Sequence, residues 1–349
     1  MPRLRRVDCS GPGITRRRRG RGFEYLDEAG NRIDDSEVLG RIGELAIPPA
    51  WEDVWIRPYP NGHIQATGID ARGRKQYRYH DRWRERRDQE KFDSMIAFAR
   101  SLPAMRRRVT RQLRPDGISR ERVLAAAVRL LDRGFFRVGG EDYAAENDSY
   151  GLATIHKRHV RLLDGPVLVF DYPAKGGQRR IQSIVDPDVY EIVAELKRRR
   201  GGAPELLAYR DGRRWRDLRS DDINAYIKEV TGGEFTAKDF RTWNATVLAA
   251  VALAVSGPAA QRSRTARRRA ITRAVKEVAH YLGNTPAVAR ASYIDPRVFD
   301  RFEGGLTIGG VLPEIGEEPD IGSLHGAAEQ AVLDLIAADE DAETLEKVA

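Results

Sequence analysis

A single cysteine, Cys9, stands among 349 residues. No intrachain disulfide can form, so the chain is no cross-linked secreted scaffold, and a reducing compartment is expected. Cys/His zinc spacing, a cluster of acidic metal ligands and a Gly-Lys-Ser/Thr phosphate loop are also missing from the sequence. The N-terminus is rich in arginine but has no apolar stretch of the kind a secretory signal needs. The longest apolar run, Ala245 to Val255, is interrupted by Thr246 and is too short to cross a bilayer. A soluble cytoplasmic or nucleoid-associated protein, with no membrane partner, is expected.

Basic charge is abundant. The formal charge is +8 and the pI near 9.6, which favours a polyanionic partner. Eleven Asp/Glu and one Lys put −10 on residues 311–349, which leaves +18 on residues 1–310. The length allows two domains, each with a buried core.

Residues 1–22 read as a basic arm, with Arg16 to Arg19 unbroken, solvated until it meets an anion. Phe23 to Asp27 alternates and turns at Glu28 to Asn31, a β-hairpin returning through Arg32-Ile33. Val38 to Leu45 is a short helix stopped by Pro48-Pro49. Trp51 to Ile56 and His63 to Thr67 are short strands. Gly68 to His80 interleaves Arg74, Lys75, Tyr77, Arg78 and Tyr79, a pattern in which cations hold phosphates and rings lie on sugar or base faces. A polar sheet edge has the same pattern.

Long helices begin at Asp81, which sets a β-rich N-terminal domain at 23–88 and a mainly helical domain at 89–310. Met95, Ile96, Phe98 and Ala99 form one core stripe, and Val123, Leu124, Ala127, Leu130 and Leu131 another. Period-two pairs at Val160/Leu162, Val167/Val169 and Ile181/Ile184 predict a small antiparallel sheet. Lys175 lies at the tip of its Pro173 to Gly177 turn, either as an ordinary solvated residue or as one able to swing into a cleft. Ala245 to Val255 is the buried centre, and Arg241 at its mouth is costly to bury unless a fixed anion meets it. Gln261 to Arg269 is an exposed basic loop or helix face. The acidic segment 311–349 contains an amphipathic helix from Ala327. It could be a solvated tail, a partner-binding helix, or a competitor for non-specific DNA.

The stretch Leu282 to Tyr293 organises the reading. Gly283 suits a helix stop, Pro286 a first helical position, and a tyrosine closes the short helix that follows. Tyr293 is a surface residue on an amphipathic helix or a phenol held beside cations.

Arg137 in Phe-Phe-Arg-Val-Gly, Arg241 in Lys-Asp-Phe-Arg-Thr and Tyr293 after Leu-Gly-Asn-Thr-Pro follow in that order, with Ile47-Pro48-Pro49-Ala50-Trp51 and Gly73-Arg74-Lys75-Gln76-Tyr77 before them. This series resembles the type IB DNA topoisomerases, particularly their compact bacterial and poxvirus-like form, over most of the chain apart from the arm and the tail. The resemblance implies an α+β protein: a small β-rich domain and a larger helical catalytic domain with a small antiparallel sheet, closing as a clamp on duplex DNA. It implies relaxation of supercoils by a monomer through transient single-strand cleavage. Tyr293 would attack the phosphodiester and become linked to the 3′ phosphate. Arg137 and Arg241 would hold the non-bridging oxygens, and Lys175 would protonate the departing 5′ oxygen. The family often has His at the fifth position. Asn284 stands there, able to donate to a phosphoryl oxygen but not to shuttle a proton. His280 is a weaker rival for that role. Gln76, Tyr77 and Tyr79 would contact DNA from the N-terminal domain. Gly139 to Asn147 would face the major groove, with Tyr143 and Lys238 on phosphates.

The chemistry is consistent on its own terms. A phenol with a pKa of about 10 is a poor nucleophile at neutral pH, and guanidiniums lower that barrier. Exchanging one ester for another conserves the bond, so no ATP, metal or other cofactor is expected. A tyrosine recombinase shares much of this logic, but would begin with a helical arm-binding domain and act as a tetramer.

Overall fold

The basic arm is built into a sheet. Ile14–Arg19 (β1) pairs antiparallel with Gly22–Leu26 (β2), Thr15 opposite Leu26 and Arg19 opposite Gly22. Gly20, with φ of +57°, makes the tight turn between them. This corrects the expectation of a free arm over residues 1–22, while the expected return after β2 is present: the Asp27 amide donates to the Asn31 carbonyl, that of Ile33 to the Tyr25 carbonyl, and Leu26 is bridged to Arg32. The charged run tolerates a strand because its guanidiniums find partners. Arg16 lies 4.1 Å over the Phe23 ring and donates to the carbonyls of Pro48 and Trp51. Arg5 and Val7 are also tied to the chain at Asn61 and His63.

Ser36–Glu44 (α1) is capped by the Asp35 carboxylate, which accepts from the amides of Glu37 and Val38. Glu52–Ile56 (β3), Ile64–Ile69 (β4) and Lys75–Tyr79 (β5) complete a five-stranded antiparallel sheet in the order β2-β1-β3-β4-β5. Its inner face packs Ile14, Val54, Ile56 and Ala66 against Ile42 of α1. In this computed structural model residues 3–260, 263–316, 326–337 and 342–347 are described. The chain divides into two compact units, Met1–Lys91 and Phe92–Ala349.

The second unit is helical around one core. Asp81–Leu113 (α2) enters it, burying Phe98, Leu102 and Met105. Arg120–Arg133 (α3) starts at a Ser119 cap and is buried along most of its length. Glu141–Asn147 (α4) buries none of its residues. Val160–Leu163 (β6), Val167–Ala174 (β7) and Gln178–Val185 (β8) form the expected antiparallel sheet in the order β6-β7-β8. Pro187–Arg198 (α5), the hairpin Ala208–Asp211 (β9) and Arg214–Asp217 (β10), and Ser220–Thr231 (α6) follow. Ala237–Ala260 (α7) is the central helix, with Phe240, Trp243 and Ala245 fully enclosed. Arg264–Leu282 (α8), Pro286–Ser292 (α9) and Pro296–Glu303 (α10) complete the catalytic region. The protein is therefore α+β, β-rich at its N-terminal end and helical beyond. No helix among the described residues is long and apolar enough to cross a membrane.

The acidic end is not a solvated tail where it is described. Leu306–Thr307 (β11) pairs with Glu346–Lys347 (β12), and Leu312–Gly316 (α11) is short. Ala327–Ala337 (α12) buries Ala328, Ala331, Val332, Leu335 and Ile336 in the core. Its Glu329 accepts from two nitrogens of Arg106 and from the buried indole of Trp243, while Arg106 also pairs with Asp132. Net charge concealed this: the apolar face of α12 and one carboxylate with buried partners decide where the segment goes. The rest of the predicted amphipathic helix to Ala349 falls partly on residues 338–341 and 348–349, outside the described residues, as do 261–262 of the basic run.

Candidate active site

Arg137 reaches the site from the irregular segment after α3. Leu152 and Ala153 donate their amides to the carbonyls of Arg137 and Val138, at 2.9 and 2.7 Å. Gly139 has φ of +82°, and a Cβ there would stand 2.8 Å from the Gly151 Cα. Two backbones thus pass at a distance only glycine permits, which fixes the loop bearing Arg137. Lys175 occupies the β7–β8 turn, where Gly176 and Gly177 both have positive φ and Arg179 braces Asp171 in a two-pronged pair. Its ammonium is 5.5 Å from the Tyr143 ring centroid. Arg241 sits on the second turn of α7, only 3% exposed, on a helix anchored by Phe240 and Trp243.

Tyr293 caps α9. Thr285 caps the other end of that helix, and Pro286 fills its first turn, as the sequence implied. The buried Thr246 hydroxyl donates to the Thr242 carbonyl at 2.9 Å and accepts from the Asp295 amide at 3.1 Å, which ties the backbone after the ring to α7. The Arg241 guanidinium carbon is 5.3 Å from the ring centroid.

One cavity of about 450 Å³ gathers Arg137, Tyr143, Lys175, Lys238, Arg241 and Tyr293, with Tyr150, Ser220 and Asn224 among its other walls. Among the described residues no carboxylate lines it. Burial raises the Tyr293 pKa, but the charges of Arg241, Arg137 and Lys238 outweigh this and hold the phenol below its ordinary value. Arg241 is itself lowered, by burial first and then by repulsion from Arg137. A guanidinium so placed still remains cationic at neutral pH.

Asn284 does not line this cavity; it lies behind Arg137. Its Oδ1 accepts from Arg137, and its Nδ2 is buried with no hydrogen-bond partner. An amide so held presents only its donor. The surroundings explain why. Gly283 ends α8 in the left-handed conformation, and the carbonyls at that helix end are taken by arginines. Arg137 bonds the carbonyl of Gly283 at 3.0 Å and Arg241 that of Leu282 at 2.9 Å, while a second Arg241 nitrogen reaches the Phe135 carbonyl. Arg180 bonds the carbonyls of His280 and Tyr281. A helix C-terminus carries partial negative charge, so it holds guanidiniums that would otherwise repel one another. Arg180 was not legible as a site residue: in the sequence it is one of two adjacent arginines on a strand.

Four of the five expected residues, Tyr293, Arg137, Lys175 and Arg241, thus converge on the cavity with Lys238 and Tyr143 beside them, and Asn284 is joined to them through its bond with Arg137. His280 offers its carbonyl, not its ring, to this cluster. Gln76, Tyr77 and Tyr79 belong to β5 of the other unit. Tyr77 and Tyr79 are exposed and stacked with centroids 6.0 Å apart, and Gln76 donates to Asp70.

A half-buried phenol among fixed cations defines an enzyme that handles phosphodiesters, and the comparisons name its class. Residues 80–303 match the family described as eukaryotic DNA topoisomerase I, catalytic core, and residues 22–70 match bacterial DNA topoisomerase IB, N-terminal domain. DNA topoisomerase 1B of Acanthamoeba polyphaga mimivirus is 33% identical over 288 residues, 81% of this chain and 85% of that protein. DNA topoisomerase 1 beta of Arabidopsis thaliana is 25% identical over 46% of this chain, which spans only 16% of the plant protein. DNA topoisomerase 1 of Schizosaccharomyces pombe is 30% identical over 36% of this chain and 15% of its own length. The chain belongs to the type IB DNA topoisomerases. Its substrate is DNA, and its activity is the relaxation of DNA topology.

Proposed function

We propose that the chain relaxes supercoiled duplex DNA through a 3′-phosphotyrosyl intermediate, without ATP or metal. The Tyr293 oxygen attacks the phosphorus, forming an oxygen–phosphorus bond as the bond to the 5′ oxygen breaks. The phenol gives its proton to solvent, and the 5′ oxygen takes one from Lys175. Religation runs these steps backwards and restores the strand. Arg137 and Arg241 hold the non-bridging oxygens, and the Asn284 Nδ2 adds a donor as charge builds on the phosphorane. One ester replaces another, so no external energy is needed.

The observation that carries this reading is the phenol of Tyr293, held below its ordinary pKa in a cavity walled by four cations and, among the described residues, no carboxylate. In the same reading both units contact duplex DNA, one through Gln76, Tyr77 and Tyr79 and the other through Tyr143 and Lys238. The enzyme acts as a monomer in the cytoplasm, on nucleoid DNA.

The test is supercoiled plasmid incubated with the protein in EDTA without ATP, then denatured abruptly. Relaxed topoisomers and protein bound covalently to 3′ DNA ends are expected. Tyr293→Phe should give neither while still binding the plasmid. Dependence on ATP or Mg²⁺, or covalent DNA on the Phe variant, would overturn the mechanism.

A further inference from the structure

Three elements that carry the reacting groups meet at the C-terminal end of α8. The segment after α3 supplies Arg137, α7 supplies Arg241, and β8 supplies Arg180. Their guanidiniums occupy four consecutive backbone carbonyls, His280 to Gly283. Arg137 and Arg241 also line the reaction cavity, whereas Arg180 does not. Arg180 is braced from behind by Gln182, whose Oε1 accepts from it at 3.3 Å. Its aliphatic stem lies against Gly283, where an added Cβ would stand 3.2 Å from the Arg180 Cδ. Nothing in the proposed chemistry uses this half-buried cation.

We propose that Arg180 is a positioning residue that sets the register of the α8 end, and with it Asn284 and Tyr293, against Arg137 and Arg241. The inference rests on the transesterification reading given above. Its two bonds fix the last turn of α8 at the carbonyls of His280 and Tyr281. The next two carbonyls fall to Arg241 and Arg137, and the residue after them is Asn284, whose Oδ1 also belongs to Arg137. Thr285 and α9 then lead to Tyr293 within nine residues. A shift of the helix end would therefore alter both cavity arginines and the phenol together. Only four residues lie between Lys175 and Arg180, so the same residue also moors the lysine-bearing hairpin to α8. A guanidinium suits this work because its rigid fork can reach two neighbouring carbonyls at once.

The test is single-turnover cleavage of a duplex whose nick lets the released strand, ending in the freed 5′ hydroxyl, diffuse away, with Arg180→Ala, Arg180→Lys and Tyr293→Phe in parallel. Displacing reacting groups by about 1 Å costs about 10² in rate, so Arg180→Ala should cleave about 10–10² times more slowly. Cleavage and religation share one transition state, so both should slow equally, leaving the covalent fraction on an intact duplex unchanged. Arg180→Lys, which keeps the charge but not the fork, should recover part of the rate. A 5′-bridging sulfur in place of the leaving oxygen, which departs without needing a proton, should rescue Arg180→Ala only in part. Partial misfolding would lower the amplitude of cleavage and not its rate constant, and that result would overturn the proposal. A wild-type rate constant in Arg180→Ala, or full rescue by the sulfur substrate, would also overturn it. Covalent DNA on Tyr293→Phe would instead remove the reading beneath it, so the two failures are distinguishable.

Discussion

Glu329→Leu tests whether the acidic C-terminal segment belongs to the fold. Glu329 is the only α12 side chain that bonds both Arg106 and the indole of Trp243, a residue with no exposed surface. Leucine keeps the volume and leaves the indole N–H without a partner, which costs about 1–3 kcal/mol. Arg106 loses one of two counter-charges. Stripping a buried charge of its partner costs about 3–5 kcal/mol, less here because Asp132 still holds two nitrogens of Arg106. A total of about 3–4 kcal/mol is expected, which for a unit of this size lowers the melting temperature by about 6–16 °C. Scanning calorimetry reads this directly, and Glu329→Gln, which keeps one acceptor, should fall between. Plasmid binding at low salt should be unchanged in both variants at a temperature where they are folded. A Leu variant that melts with the wild type refutes the reasoning. Tighter DNA binding at an unchanged melting temperature would restore the idea that this segment competes with DNA.

With ¹³Cζ-tyrosine labelling, the Tyr293 resonance, identified by its loss in Tyr293→Phe, should titrate below the ordinary phenol value of about 10. Arg241→Gln should move that titration upward, since Arg241 is the foremost lowering charge; no movement would mean the cation does not act on the phenol. Gly139→Ala should slow single-turnover cleavage by about 10², because its Cβ forces Gly151 and the Arg137 loop apart; an unchanged rate would show that the loop has slack. Burial, helped by the neighbouring His156 and Arg158, lowers the His159 pKa to about 4. The unfolded chain then binds a proton near pH 6.5 that the folded chain refuses, so stability is full above that pH and declines as pH falls towards 4. His159→Gln should flatten the decline in a melting-temperature series; an equal slope in the variant would assign it to other groups.

The sequence carried the catalytic constellation further than the fold around it. Arg137, Arg241 and Tyr293 stand in short motifs whose neighbours, Gly139, Phe240 and Pro286, are the residues that hold them in place. Lys175 in its glycine-rich turn reads equally as a solvated residue, and only the fold shows that the turn faces a cavity. The strand at Ile14–Arg19 was hidden because a run of arginines looks the same whether its backbone is paired or solvated. Arg180 was hidden for a related reason: its value lies in whose carbonyls it reaches, one hundred residues away. In α12 the carboxylate count spoke for solvent, while Ala328, Val332 and Leu335 on one face spoke for burial, and the apolar face prevailed. Against the tyrosine recombinase alternative stood Gly73 to Tyr77 in a β-rich N-terminal half and Asn284 in place of His. Its N-terminal half distinguishes it, and residues 22–70 match the bacterial topoisomerase IB domain.

The cavity arginines rest on neutral backbone carbonyls and not on acids. An arriving phosphate therefore has no internal salt bridge to evict, and the full field of the cations is available to the first oxyanion of suitable shape. Selection then rests on geometry. Free phosphate or sulfate should slow the enzyme more than chloride at equal ionic strength, and the choice of buffer salt becomes a chemical variable in any rate measured on it.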